Sequence, residues 1–261
     1  MRFRIAALAL TALVFTRPAL TRQLAIAAAA DLQFALTDLG NQYEKQTGAT
    51  LSITYGSSGN FFAQLQNGAP FDLFFSADVE YPRRLEAAGL TEPGTLTVYA
   101  RGQIVLWAPP GSNFDFARQG LSSLMDPRIQ KIAIANPDHA PYGRAAVAAL
   151  KKDGIYERIK SKLVLGENIS QAAQFVQSGN AQVGVIALSL AASPAMKDGQ
   201  RWEVPLELYP SLVQAAVVMK ASQHKQLARD FLGFLQTDAA RATLARYGFA
   251  LPATGSGERK P

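Results

Sequence analysis

Four short stretches each set a turn-forming or hydroxyl residue directly before an apolar run at helical spacing: Ala29-Ala30-Asp31-Leu32, Gly56-Ser57-Ser58-Gly59-Asn60, Ala140-Pro141-Tyr142-Gly143 and Glu167-Asn168-Ile169-Ser170. Each reads as a helix start following a strand. A helix start carries backbone N–H groups that have no partner inside the helix, together with the positive end of the helix dipole. If the fold brings several of these starts together, they form an anion site that needs no lysine or arginine.

The second stretch is the most informative. Ser57 and Ser58 place two hydroxyls beside Gly59, where an oxygen can approach the backbone closely, and Asn60 adds an amide. Ser58 either donates to a ligand or caps its own helix, a role serine fills well. In the third stretch Pro141 and Gly143 frame Tyr142 and hold its N–H at a helix start; the phenol either adds a second donor or packs against a hinge. Asn168 is a good N-cap, and Ile169 behind it can offer only its N–H. Asp31 is the difficult member, because a carboxylate aimed at a dianion in a dry cleft is repelled. It either turns aside to cap its own helix, which is the expectation favoured here, or accepts a hydrogen bond from an oxyanion that still carries a proton. Arg144 is expected to point to solvent and His139 to occupy a turn. Asp72, Asp78 and Glu80 read as solvated surface or strand-end caps.

Catalytic signatures are missing from the sequence. There is no Gly-x-Ser-x-Gly elbow, phosphate-binding Gly-x-x-x-x-Gly-Lys loop, His-x-x-x-His pair or dinucleotide fingerprint. With no cysteine and two histidines, the chain also offers no disulfide, thiolate nucleophile or cysteine-based metal site. The expectation is a binding protein with no cofactor, and an extracytoplasmic enzyme on the same fold is the alternative from a different class.

The elements that must position these residues alternate between extended and helical patterns. Apolar runs at 24–30, 51–55, 71–75, 104–108, 131–135, 183–187 and 212–219 predict strands. Helical spacing follows most of them, including Leu32, Ala35, Leu36, Leu39 and Tyr43, and late in the chain Leu227, Phe231, Leu232 and Leu235. Strand then helix, repeated, predicts open and mostly parallel sheets flanked by helices. Continuous strands near 98–105 and 206–213 predict that the chain crosses twice between two lobes. The expected division is lobe 1 at 24–101 and 209–252 and lobe 2 at 102–208, with the ligand in the cleft between them. Ligands of open α/β sheets bind at the carboxyl ends of the strands, where the four helix starts also lie.

Composition is ordinary for a globular chain, and 261 residues are enough for two cores. Met1-Arg2-Phe3-Arg4 followed by an apolar run to Phe15 reads as a secretory signal, assigned to 1–23, with an uncleaved membrane anchor as the alternative, and the tail at 253–261 is expected to be disordered. Four of the surplus cations, Arg2, Arg4, Arg17 and Arg22, belong to that leader, so the formal charge of +6 falls to +2 without it. A nucleic-acid-binding surface is therefore not expected.

From Leu24 to about Pro252 the chain resembles the periplasmic molybdate-binding proteins of ABC transporters, within the type II periplasmic binding fold. The match is carried by Ala28-Ala29-Ala30-Asp31, Tyr55-Gly56-Ser57-Ser58-Gly59, the run from Asn67 to Asp78, the run from Asn136 to Gly143, and Arg246-Tyr247-Gly248-Phe249. The resemblance implies a monomer that captures molybdate, or tungstate, in the periplasm and hands it to a membrane permease. It implies Asp31, Ser58, Tyr142 and Ile169 as contacts to the oxyanion. Two departures stand out. Many relatives have serine or asparagine where this chain has Asp31, and one branch has a site tyrosine where this chain has Ala187, a role Tyr142 would take over. The first leaves phosphate or sulfate as alternative ligands.

Overall fold

The computed structural model describes residues 23–252, so the expected leader (apart from Gln23) and the expected disordered tail lie outside the described residues. Ten strands fall into two five-stranded sheets. The first contains β1 (Gln23–Ala29), β2 (Thr50–Gly56), β3 (Leu73–Ser76), β4 (Thr97–Gly102) and β10 (Leu212–Val218), in the order β2-β1-β3-β10-β4. The second contains β5 (Ile104–Ala108), β6 (Ile132–Ala135), β7 (Leu163–Gly166), β8 (Val183–Ala187) and β9 (Gln200–Glu203), in the order β7-β6-β8-β5-β9.

In each sheet four strands run one way and one runs against them. β10 pairs antiparallel with both β3 and β4, and β5 pairs antiparallel with both β8 and β9. The remaining pairs, β1 with β2 and β3, and β6 with β7 and β8, are parallel. Two sheets of this kind, each flanked by helices, form the two-lobed periplasmic binding protein fold.

Period-two burial sorts β1 between two layers. Leu24, Ile26 and Ala28 face a core that includes Leu36, Leu39, Phe75 and Phe231, while Ala27 faces another with Phe61, Phe62, Phe74 and Leu85. The second lobe buries Leu106, Ile134, Leu150, Val176 and Val185, and this cluster continues across the cleft to Ala29, Ala30 and Ala77 of the first lobe.

The crossings differ from the continuous strands expected at 98–105 and 206–213. The first is broken at Gln103, between β4 and β5, and in the second Leu206–Leu208 forms a 3-10 turn ahead of β10. Gln103 is where one sheet hands over to the other: its carbonyl accepts from Leu188 N–H of the second lobe. The third strand begins at Leu73 rather than Phe71, because Asp72 closes a reciprocal pair with Ala25 and accepts from the Ser222 hydroxyl. That makes Asp72 the strand-end cap its type suggested.

Candidate functional site

Every co-directional strand except β4 and β9 delivers its carboxyl end to a turn that starts a helix or leads into one. β1 leads into the 3-10 turn Ala30–Leu32 and then the helix Gln33–Thr47, and β2 into the helix Ser58–Gln66. On the other lobe β6 leads to the helix Pro141–Lys152 and β7 to the helix Ile169–Gln177. Local chemistry explains the two starts on the second lobe. Pro141 occupies N1, where its missing N–H costs nothing, and the Asn168 side chain caps its helix by accepting from Gln171 N–H at 3.0 Å. Gly143 is required by close packing, since a Cβ there would lie 2.2 Å from the Ala135 carbonyl oxygen.

Of the two roles open to Ser58, capping falls to its neighbour. Ser57 is the N-cap, accepting from Asn60 N–H, and Ser58 is the first helical residue. Ser58 Oγ accepts from Ala77 N–H at 3.0 Å. Its own proton is thereby left free to be donated elsewhere, so the residue is not a helix cap.

Asp31 does not cap its helix either. The turn at Ala30–Leu32 has Ala29 at its N-cap position and no side-chain cap. The carboxyl instead reaches across the cleft. Oδ2 accepts from the Tyr142 hydroxyl at 2.9 Å and from Gln214 Nε2 at 2.6 Å. Gln214 Nε2 also donates to the Tyr142 oxygen at 3.1 Å, and Gln214 Oε1 accepts from the Tyr99 hydroxyl at 2.8 Å. The Tyr142 phenol is thus committed to Asp31 rather than free as a second donor, and its ring packs at the crossing, where a Cβ on Gly102 would lie 2.1 Å from the phenol oxygen. Burial raises the Asp31 pKa from 3.8 to about 6, against the lowering effect of the Gln214 and Tyr142 hydrogen bonds and of its own backbone N–H. Burial first, and the Asp31 charge second, holds the Tyr142 phenol well above its ordinary value. Asp31 Oδ1 is buried and has no hydrogen-bond partner.

The two lobes meet around these residues. Gly59 N–H donates to the His139 carbonyl at 2.9 Å, and Ser57 Oγ lies 2.8 Å from His139 Nδ1. The Asn60 amide donates to Glu167, Ser170 Oγ donates to the Ala30 carbonyl, and Ser189 Oγ donates to the Asp31 carbonyl. Arg144 does not point to solvent: its guanidinium bridges the cleft to Asp78 and to the Tyr81 hydroxyl. His139 occupies a turn, as expected, but it is a turn that touches the opposite lobe.

Asp31, Ser58, Tyr142 and Ile169 are 1%, 1%, 2% and 3% exposed, so any polar group they present is dry. The N–H groups of Ser58, Tyr142 and Ile169 sit within the first two positions of their helices, and that of Asp31 in the first turn of its 3-10 segment. Among the described residues those of Ser58, Tyr142 and Ile169 have no acceptor, whereas that of Asp31 bonds its own carboxylate. The arrangement offers the free N–H groups of Ser58, Tyr142 and Ile169 and the Ser58 hydroxyl, two contributions from each lobe, with no lysine or arginine among these residues. Also among the described residues, no group of three histidine, aspartate or glutamate side chains could hold a metal cation. Sequence reasoning missed Gln214, Tyr99, Ser189 and Gly102. Only Gln214 left a trace, as the one polar side chain in the apolar run Leu212–Val218.

Residues 24–250 match the family described as bacterial extracellular solute-binding protein. The molybdate-binding protein ModA of Azotobacter vinelandii is 40% identical over 228 residues, covering 87% of this chain and 89% of that protein. ModA of Rhodobacter capsulatus is 35% identical over 232 residues, covering 89% and 90%. Among solved structures, the periplasmic molybdate-binding protein of A. vinelandii superposes with a TM-score of 0.83 at 34% identity, over 88% of this chain and all of that one. The sulfate-binding protein SubI of Mycobacterium tuberculosis superposes at 0.72 with 17% identity, over 89% and 88%, which is a likeness of fold alone.

Proposed function

We propose that this chain, which belongs to the bacterial extracellular solute-binding proteins, captures molybdate between its lobes, accepts tungstate by the same geometry, and delivers the ion to the membrane permease of an ABC transporter. It works in the periplasm as a monomer, without a cofactor and without catalysis. The observation that supports the reading is that buried helix starts of both lobes, with N–H groups that have no acceptor among the described residues, abut at the lobe contact with no lysine or arginine among them. Such donors suit the oxygens of a tetrahedral dianion, and the metal inside the ion is never touched by the protein. The identities to two molybdate-binding proteins support molybdate over other ions of the same shape.

A thermal-shift panel of molybdate, tungstate, sulfate and phosphate tests the assignment. An ion present at a hundred times its dissociation constant stabilises the folded state by about 2.7 kcal/mol, which raises the melting temperature by about 5–10 °C. Molybdate and tungstate should produce that shift at far lower concentration than sulfate or phosphate. A panel led by phosphate would replace molybdate as the ligand, and a flat panel would remove the oxyanion reading altogether.

Ser58 gives a sharper test of the site itself. Its hydroxyl accepts from Ala77 N–H and donates to the ion, so Ser58→Ala removes one bond to a charged group and leaves a buried N–H unpaired. Calorimetry should show molybdate affinity reduced by about one to two decades, and urea titration of the ligand-free protein should show about 1–3 kcal/mol of lost stability. Lost stability with unchanged affinity would leave Ser58 as a support for Ala77 alone.

A further inference from the structure

Asp31 shows which of its two oxygens can hold a proton. All the hydrogens near Oδ2 already point at it: the Tyr142 hydroxyl and Gln214 Nε2 both donate there, and the Gln214 amide is locked in that orientation because its Oε1 accepts from Tyr99. A proton on Oδ2 would face two donors. Oδ1 is fully buried and has no hydrogen-bond partner on any other described residue. It belongs to one of the four residues named above as contacts to the ion. An ionised Oδ1 beside a dianion would add repulsion in a dry cleft, whereas a protonated Oδ1 becomes one more donor.

We infer that Asp31 meets the bound ion as the neutral acid, its proton on Oδ1 and directed at a ligand oxygen, so that each dianion enters the cleft together with one proton. The inference rests on the oxyanion reading above. The proton comes from the buffer, no covalent bond to the ligand forms, and the bound complex carries one positive charge more than it would without uptake. Around Asp31 the other titratable groups are the Tyr142 and Tyr99 phenols, both kept protonated by burial. The helices of Ser170 and Ser189 bring only hydroxyls to this turn, and β10 brings the Gln214 amide. The basic side chains at the lobe contact face other partners, Arg144 facing Asp78 and Tyr81, and the His139 ring facing Ser57 and Glu167. The upward shift that burial imposes on the Asp31 carboxyl points the same way.

The test is calorimetric titration of the protein with sodium molybdate at about pH 7.5, in two buffers of different ionisation enthalpy. The expected result is an uptake close to one proton per ion bound, with affinity falling about tenfold per pH unit above neutrality. In Asp31→Asn the amide oxygen keeps the Tyr142 and Gln214 bonds and the amide nitrogen takes the place of the protonated oxygen. That variant should bind molybdate at least tenfold more tightly at this pH, with no uptake and no slope. Parent protein that binds molybdate without proton uptake would overturn the inference while leaving the oxyanion reading intact. So would uptake that persists in Asp31→Asn, since the proton would then sit elsewhere. Tight phosphate binding without uptake, lost in Asp31→Asn, would show an ionised Asp31 accepting from hydrogen phosphate and would also overturn it. Absence of binding by any of these ions would instead remove the underlying function.

Discussion

Gly59→Ala should abolish tight oxyanion binding while leaving each lobe folded. A Cβ at position 59 would lie 2.5 Å from the His139 carbonyl oxygen and 2.8 Å from the Tyr81 hydroxyl. The hydroxyl ends a side chain and can move aside. The carbonyl is backbone of the opposite lobe and can yield only if the lobes stand apart. The N–H groups of Tyr142 and Ile169 would then be withdrawn from an ion that still touches Ser58. Two hydrogen bonds to a charged partner amount to about 3–6 kcal/mol, or about two to four decades in affinity. Each lobe should fold normally, because Gly59 has no positive φ and alanine is the better helix former by about 1 kcal/mol. Calorimetry with molybdate and a melting curve without it separate the effects. Affinity within threefold of the parent would mean that this lobe contact is not part of the bound state.

Asp31 should also govern how the ligand-free protein responds to pH. Its folded-state pKa of about 6 lies above the value of 3.8 for an unperturbed carboxyl, so the folded state holds a proton that the unfolded chain has lost throughout that interval. Stability from this group is therefore greatest below about pH 4, falls as pH rises toward 6, and is flat above. The size of the loss is about 3 kcal/mol. Urea unfolding of parent and Asp31→Asn, in oxyanion-free buffers between about pH 4 and pH 7.5, isolates it from every other titration. The variant should gain on the parent by that amount across the interval. A difference independent of pH would mean that the carboxyl is no harder to ionise in the fold than in the open chain.

The helix starts were legible because their causes are local. Asn168 accepts from a group three residues ahead, and Pro141 fits N1 through its own ring, so both announce themselves within one turn. The buried strands were legible for a similar reason, as short apolar runs. β7 and β9 were not: the apolar run Leu163-Val164-Leu165 is only three residues long and partly exposed, and the edge strand Gln200–Glu203 is polar. Ser57 and Ser58 could not be told apart, since either can cap and only the arrival of Ala77 N–H decides which one is engaged. Asp31 was read wrongly for the same kind of reason. Its partners, Tyr142 and Gln214, stand 111 and 183 residues away, and no local rule weighs a distant phenol and amide against a cap.

The reversed strand in each sheet has a mechanical consequence. Each crossing joins an edge strand of one sheet to an interior strand of the other: β4 at the margin of the first continues into β5 inside the second, and β9 at the margin of the second leads to β10 inside the first. A torque that swings one lobe is therefore delivered to a strand gripped along both sides, and it spreads across the sheet instead of peeling a margin away. The give is left to Gln103 on one arm and residues 204–211 on the other. With two such arms the lobes behave as stiff jaws on a double pivot, twisting little as they swing, so the four donors can return to the same places at each closure.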